Sequence, residues 1–295
     1  MKALITGATG FVGRHLAQRL PDAVVAGRSM ERLLTLFPGR DVREWSVEGD
    51  TAGFLDGVDT VFHLAGESLF NGRWNRDKKR RIYESRVQGT KSIVSAIACA
   101  DRKPSLLVCA SAVGYYGSRG DEILTEDAGA GDDFLARLCV DWEREALKAC
   151  KHGVRVVIVR IGVVLGRNGG ALAQMVPLFR MGLGGRLGSG RQYMPWIHIE
   201  DLAGLMLHAA KDMKISGPVN GVSPEPVTNM EFARGLAGGL RRPCLIPAPA
   251  FVLRMAIGEF ADVLLASQRV IPKVMESSGY RFRFGRLSHA LENLL

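Results

Sequence analysis

"MKALITGATGFVGRHL" (residues 1–16) runs from a short apolar stretch through a glycine-spaced turn into the start of an amphipathic pattern. KALITG has the apolar continuity of a strand covered on both faces, and FVGRHLAQRL (11–20) spaces its apolar residues at helical intervals. Between them Gly7, Gly10 and Gly13 recur at every third position. One glycine permits the tight turn, one lets backbone reach a pyrophosphate, and one lets helix and strand pack, while the helix start supplies amide donors. This order predicts a dinucleotide site whose first contacts are Gly7, Thr9, Gly10, Phe11 and Gly13.

Working outward, DAVVAGR (22–28) is the second strand of a βαβ unit. A chain that uses NAD ordinarily ends this strand on Asp or Glu, which holds the ribose 2′-hydroxyl. Here the strand ends on Gly27, Arg28 and Ser29, with no acid. A guanidinium pairs with a 2′-phosphate through charge-assisted hydrogen bonds of roughly 1.5–3 kcal/mol, enough for tenfold discrimination or more, so Gly27 and Arg28 point to NADP. Further strands are expected at 59–66, 105–112, 154–166 and 217–222, and long helices at about 76–100 and 132–151. Alternating strands and helices make an α/β, doubly wound parallel sheet, with ligands beyond the carboxyl ends of the strands.

The chain changes character after residue 166. GRNGGALAQMVPLFRMGLGGRLGSGRQ (166–192) carries eight glycines in 27 residues, which reads as loops around one helix. We therefore expect a cofactor domain over 1–166, to which later segments return, and a smaller substrate-side region over 167–295. Within that region 251–272 should form a helical cap.

Composition sets the outer bounds. Of 295 residues 47% are hydrophobic and 23% charged, ordinary for a globular chain with a buried core. The longest apolar stretch, at 244–266, is broken by Arg254, Glu259, Asp262 and prolines, so no membrane crossing is expected. The five cysteines are scattered without metal-ligand spacing, and no basic-then-apolar leader precedes the first strand. A cytoplasmic protein with reduced thiols and no metal site is the expectation. The formal charge is +9, densest at RWNRDKKRR (73–81). That cluster fits a solvated helix face or attraction of a phosphate-bearing small molecule better than nucleic acid, because no interleaved aromatic or nucleic-acid motif accompanies it.

TGATGFVG, HLAG (63–66), SRVQGT (85–90) and RIGVVLG (160–166) resemble the extended short-chain dehydrogenase/reductase superfamily of nucleotide-sugar epimerases and dehydratases. GESLFNGRWN, SAVGYYG, GGRLGSGRQYMPWIHIEDLAG and VIPKVMESSGYRFRF resemble, more narrowly, its atypical epimerase-family SDR39U1-like branch. The resemblance implies a Rossmann domain with a C-terminal substrate-side region, a helical tail and NADP as cofactor. It also implies that Leu64 and Ala65 line the adenosine side, that Arg86, and with it Arg81, reach the cofactor, and that Val164 lies near the nicotinamide.

In that superfamily the helix after the fifth strand carries Tyr-x-x-x-Lys, often with a glutamate four residues on. Its lysine lowers the tyrosine pKa and holds a ribose hydroxyl, and its tyrosine moves the proton that accompanies hydride transfer. Setting Glu143 on the glutamate puts Leu135 and Cys139 where the pair should stand. Tyr83, Tyr115, Tyr116, Tyr193 and Tyr280 are all the tyrosines of the chain, and none has lysine four residues later. Replacement candidates are Tyr116, on the superfamily's V-Y-G tyrosine, Glu67, at a strand's carboxyl end, and Ser111, one place before the superfamily's serine site. Cys139 reads as core packing unless its thiolate is stabilised.

On the substrate side Arg186, Arg191, Gln192, Trp196 and His198 are candidate ligand contacts, with His198 alternatively a structural residue at a helix start. The two arginines suggest an anionic small-molecule substrate. Two functions fit: an NADP-dependent oxidoreductase or epimerase with a non-standard active site, or a catalytically silent NADP-binding sensor or scaffold that regulates a protein partner.

Overall fold

The structure is a computed structural model that describes residues 2–49, 53–69, 74–167 and 169–295. Its first half contains β1 (Ala3–Thr6), α1 (Phe11–Arg19), β2 (Val24–Gly27), α2 (Met30–Leu36), β3 (Val42–Glu44), β4 (Thr60–His63) and the long α3 (Arg76–Cys99). Next come β5 (Leu106–Ala112), a 3-10 turn (Val113–Tyr116), β6 (Ile123–Leu124), α4 (Phe134–Leu147), a second 3-10 turn (Lys148–His152) and β7 (Arg155–Ile161). β8 (Val163–Gly166), α5 (Gly170–Arg180), β9 (Tyr193–Met194), β10 (Trp196–His198), α6 (Ile199–Lys211) and β11 (Gly217–Gly221) follow. The chain continues through β12 (Val227–Thr228), α7 (Asn229–Gly239), α8 (Ala250–Ile257), α9 (Phe260–Leu265), β13 (Arg269–Val270), α10 (Lys273–Ser277) and α11 (Leu287–Leu294).

Seven strands form one sheet in the order β11-β7-β5-β4-β1-β2-β3, and every pairing in it is parallel. Neighbouring residues on each strand serve opposite faces. Leu4, Val61 and Leu107 meet Ile93, Leu138 and Trp142 from α3 and α4, while Ile5, Phe62 and Val108 meet Leu16, Leu202 and Met206 from α1 and α6. Both faces being covered explains why these strands read as continuous apolar runs. The strand order reverses between β1 and β4, which opens a crevice beyond their carboxyl ends. The expected doubly wound Rossmann architecture is therefore present.

One expected strand is two. The run 154–166 splits at Gly162, where a Cβ would lie 2.8 Å from the Pro195 carbonyl oxygen. Gly162 donates its amide to Gly221 in the main sheet, and Val163 donates to Pro195, so the chain changes partners there. β8 then pairs with β10, Val164 opposite Ile197.

The later half is not a detached unit. α6 packs on the main sheet and β11 forms its edge, while Trp196, Phe232, Phe284 and Leu291 build a further core beside it. The expected cap is helical over α8 and α9, then runs into β13, which pairs with β6. α8 has no buried residue, whereas Phe260 of α9 packs on the Trp74 ring at 5.4 Å, just ahead of the start of α3. No described helix is long and apolar enough to cross a membrane.

Candidate functional site

The crevice begins at the glycine turn. Gly7 has φ +68°, and a Cβ there would lie 2.7 Å from the Leu64 backbone. Gly13 is closer still, since its Cβ would lie 2.3 Å from the Gly7 oxygen. Gly10 donates its amide to that oxygen at 2.9 Å and caps α1 without a side chain, which leaves the amides of the first turn uncovered by any cap. Thr9 is half-buried in the turn. The Phe11 ring lies in a cup of Gly166, Gly169 and Gly170, whose Cβ atoms would come within 2.5, 2.3 and 2.8 Å of it. These close approaches form a cradle into which backbone alone fits, as a pyrophosphate requires.

Gly27 ends β2, and Arg28 is exposed beyond it. Leu64 and Ala65 are half-buried where β4 ends, against Gly7. Beneath them His63 is fully buried, with Nδ1 2.7 Å from the Thr6 hydroxyl and its pKa lowered to about 4 by burial. Val164 packs on the lower core, and Gly170 backs onto its carbonyl.

The mouth between β4 and α3 is cationic. Lys78, within the basic run, is buried and donates to Glu67 Oε1 at 2.8 Å. Arg81 lies 3.9 Å from the same oxygen but is mainly exposed. The hydrogen bond from Lys78 holds the Glu67 carboxyl below its ordinary pKa, so Glu67 is an ionised acceptor and not a proton donor. Arg86 donates Nη1 to the Glu67 and Ile82 carbonyls at 3.0 and 3.3 Å. Of the basic run Lys78 is thus buried and paired, while Arg76, Arg80 and Arg81 are exposed; its first residue, Arg73, lies outside the described residues.

The opposite wall has a different character. Leu135 packs on Gly114, whose Cβ would lie 3.2 Å from the Leu135 Cβ. Cys139 is buried, and burial pushes its thiol up to about 12, which removes it as a nucleophile. Ser111 donates to Glu143 Oε1 at 2.6 Å, and Glu143 takes two hydrogen bonds from Arg160 at 3.0 and 2.9 Å. Arg160 also donates to the Tyr116 hydroxyl at 3.0 Å, and that hydroxyl donates to Asn220 Oδ1 at 2.7 Å. Tyr116 has no exposed surface, and burial raises its pKa to about 12. Ser111 and Tyr116, expected as replacement acids, stand in the structure as buried members of one polar network.

On the substrate side Trp196 and Gln192 change in the same way, and His198 takes its second reading. Trp196 is core, and Gln192 is buried with Nε2 donating to the Leu187 carbonyl at 2.9 Å. His198 accepts from the Glu200 amide at 3.1 Å as the cap of α6, stacks on Phe284 at 3.9 Å and stands 3.2 Å from Asn293 Oδ1. The helix-start alternative holds for it. Arg186 donates Nη1 to the Gly188 and Ser189 carbonyls and closes the glycine loop, while Arg191 stays exposed. Lys78, Arg160 and Asn220 were missed: only a spatial neighbour distinguishes them from surface charge or strand polarity. No group of His, Cys, Asp and Glu among the described residues has the makings of a metal site.

A sequence model of the NAD dependent epimerase/dehydratase family matches residues 3–220, and one of a domain of unknown function matches 248–294. The chain is 39% identical over 303 residues to the chloroplastic homolog of epimerase family protein SDR39U1 from Arabidopsis thaliana, covering 100% of this chain and 87% of that one. The crystal structure of human epimerase family protein SDR39U1 with NADPH superposes with a TM-score of 0.91 at 36% identity, over 100% of this chain and 99% of that chain. A nucleoside-diphosphate sugar epimerase structure from Corynebacterium glutamicum gives 0.80 at 34% identity, over 99% of this chain and 57% of that one.

Proposed function

The chain belongs to the NAD dependent epimerase/dehydratase family, and from that premise we propose that it binds NADP(H) and exchanges hydride with a small anionic molecule without a tyrosine–lysine pair. The observation that carries the cofactor choice is the acid-free end of β2, where Arg28 stands exposed beside a glycine cradle. The human relative's structure contains NADPH, in keeping with that choice. When bound, the nicotinamide supplies or accepts the hydride. The glycine turn brings backbone to the pyrophosphate, and Arg28 pairs with the 2′-phosphate.

Arg81, 3.9 Å from Glu67, puts exposed positive charge at the mouth, which favours an anionic substrate. Glu67 is the one nominated titratable group at that mouth, and in its ionised form it accepts a proton in the direction of oxidation. A cytoplasmic location, with all five cysteines as free thiols, belongs to the same proposal. Incubation of the purified protein with NADP and a panel of anionic hydroxy compounds should give NADPH formation at 340 nm, slowed in Glu67→Gln.

The apolar pair Leu135 and Cys139 favours a second reading, an NADP-binding sensor or scaffold with a protein partner. Absence of turnover across the whole panel, with NADPH still bound, would select it over the first.

A further inference from the structure

Half-buried apolar side chains gather at one place on this molecule. Leu69, Phe134, Leu135, Ile257, Val263 and Leu264 pack on the core between the sheet and helices α3 and α4, yet each keeps part of its surface open. They come from three segments: the loop after β4, the start of α4, and the cap. Trp74 ties these segments together. Its Nε1 donates to the Leu69 carbonyl at 3.0 Å, and its ring meets Phe134 at 5.9 Å and Phe260 at 5.4 Å.

The course of α9 sets this apolar group over the crevice. At its start Phe260 lies against Trp74, just ahead of α3, the helix that follows β4. Beyond its end Gln268 donates Nε2 to the carbonyls of Val113 and Gly117, both at 2.9 Å, in the turn that follows β5. The segment 260–268 therefore crosses the carboxyl edge from β4 to β5 as a roof. A dinucleotide laid from Arg28 at β2 across the glycine cradle at β1 brings its nicotinamide end beneath it.

A sugar ring under this roof would need partners for its hydroxyls, and the polar groups that close the roof are spent on backbone. Gln268 serves the two carbonyls, while the Ser267 hydroxyl donates to the Gly120 carbonyl and accepts from the Tyr193 amide at 3.0 Å. An unpaired buried hydroxyl is costly, whereas a buried methylene is favourable. Positive charge comes from α3, where Arg81 is exposed at the mouth. We infer that the substrate is a hydroxy or oxo acid with an aliphatic body, its carboxylate toward Arg81 and its chain under Val263 and Leu264, and not a sugar nucleotide. This rests on the NADP(H) reading above and names its substrate class.

The test is equilibrium titration of the NADPH-loaded protein with butanoate, hexanoate and octanoate, and with UDP-glucose. In wild type each acid should bind about tenfold more tightly than the one two carbons shorter, and octanoate more tightly than UDP-glucose. Leu264→Asn should flatten the steps to about threefold or less, with Val263→Thr intermediate and Leu264→Met like wild type. Phe251→Ser, on the exposed surface of α8, should leave the series unchanged. NADPH affinity within about twofold of wild type shows that a variant is folded. A flat series in wild type, tighter binding of UDP-glucose than of octanoate, or wild-type steps in both folded Leu264→Asn and Val263→Thr overturns the assignment. Loss of the series in Phe251→Ser also overturns it, by placing the chain on α8. Failure of wild type to bind NADPH overturns the cofactor reading instead, and the same series run without cofactor then decides the substrate class.

Discussion

The carboxyl edge of one sheet carries two regions built on opposite principles. At β1, β2 and β4 the backbone is left bare by Gly7, Gly10 and Gly13, and Arg28 and Arg86 keep donors free for a ligand. Behind β5, α4 and β7 a set of buried polar groups is paired within the protein: Ser111, Glu143, Arg160, Tyr116 and Asn220 form one chain. The first region is organised to receive a molecule and the second to hold the fold together. A retained cofactor cradle is therefore no evidence of a retained acid.

The sharpest way to break this contrast is Glu143→Gln. It leaves Arg160 buried without its carboxylate, and loss of one partner of a buried pair costs about 3–5 kcal/mol. Denaturant unfolding should show that loss, while the protein that remains folded binds NADPH with unchanged affinity. A large loss of NADPH affinity at full stability would instead place Glu143 in the binding region.

Acidification probes the other region. The folded pKa of His63, about 4, lies below its ordinary 6.5, so the unfolded chain takes up the proton first as pH falls. Stability should drop by roughly 1–2 kcal/mol between pH 7 and pH 5 on this account. The drop should be smaller in His63→Gln, whose neutral amide has no proton to gain; equal slopes in the two proteins would contradict the assignment. Smaller again is Tyr116→Phe, which removes one link of the network and should cost about 1 kcal/mol in unfolding experiments. Its NADPH affinity and any turnover should match wild type.

Local features were readable from the chain: the glycine interval, the apolar strands, the acid-free end of β2, and the long helix that the structure places at Arg76–Cys99. Each depends on residues close in sequence, whose period or spacing reports their environment directly. The network of Ser111, Glu143, Arg160 and Asn220 joins residues up to 104 positions apart, through Tyr116 and Asn220, and no local pattern marks it. Trp196 and Gln192 are buried for the same reason, and His198 takes its helix-start alternative. They sit in a loop-rich stretch that resembles a ligand wall, yet α11 and the Phe284 segment come back over it and bury Trp196 and His198. Lys78 was hidden among neighbouring charges, because only its pairing with Glu67 separates it from a solvated lysine.

The central claim is that the edge at β1 and β2 is built for a 2′-phosphorylated dinucleotide, whatever the opposite wall does. Parallel titrations of the wild-type protein with NADPH and NADH, at one ionic strength, test it most directly. NADPH should bind about tenfold or more tightly than NADH, the margin expected from one charge-assisted pairing at Arg28. Equal affinities, or a preference for NADH, would contradict it.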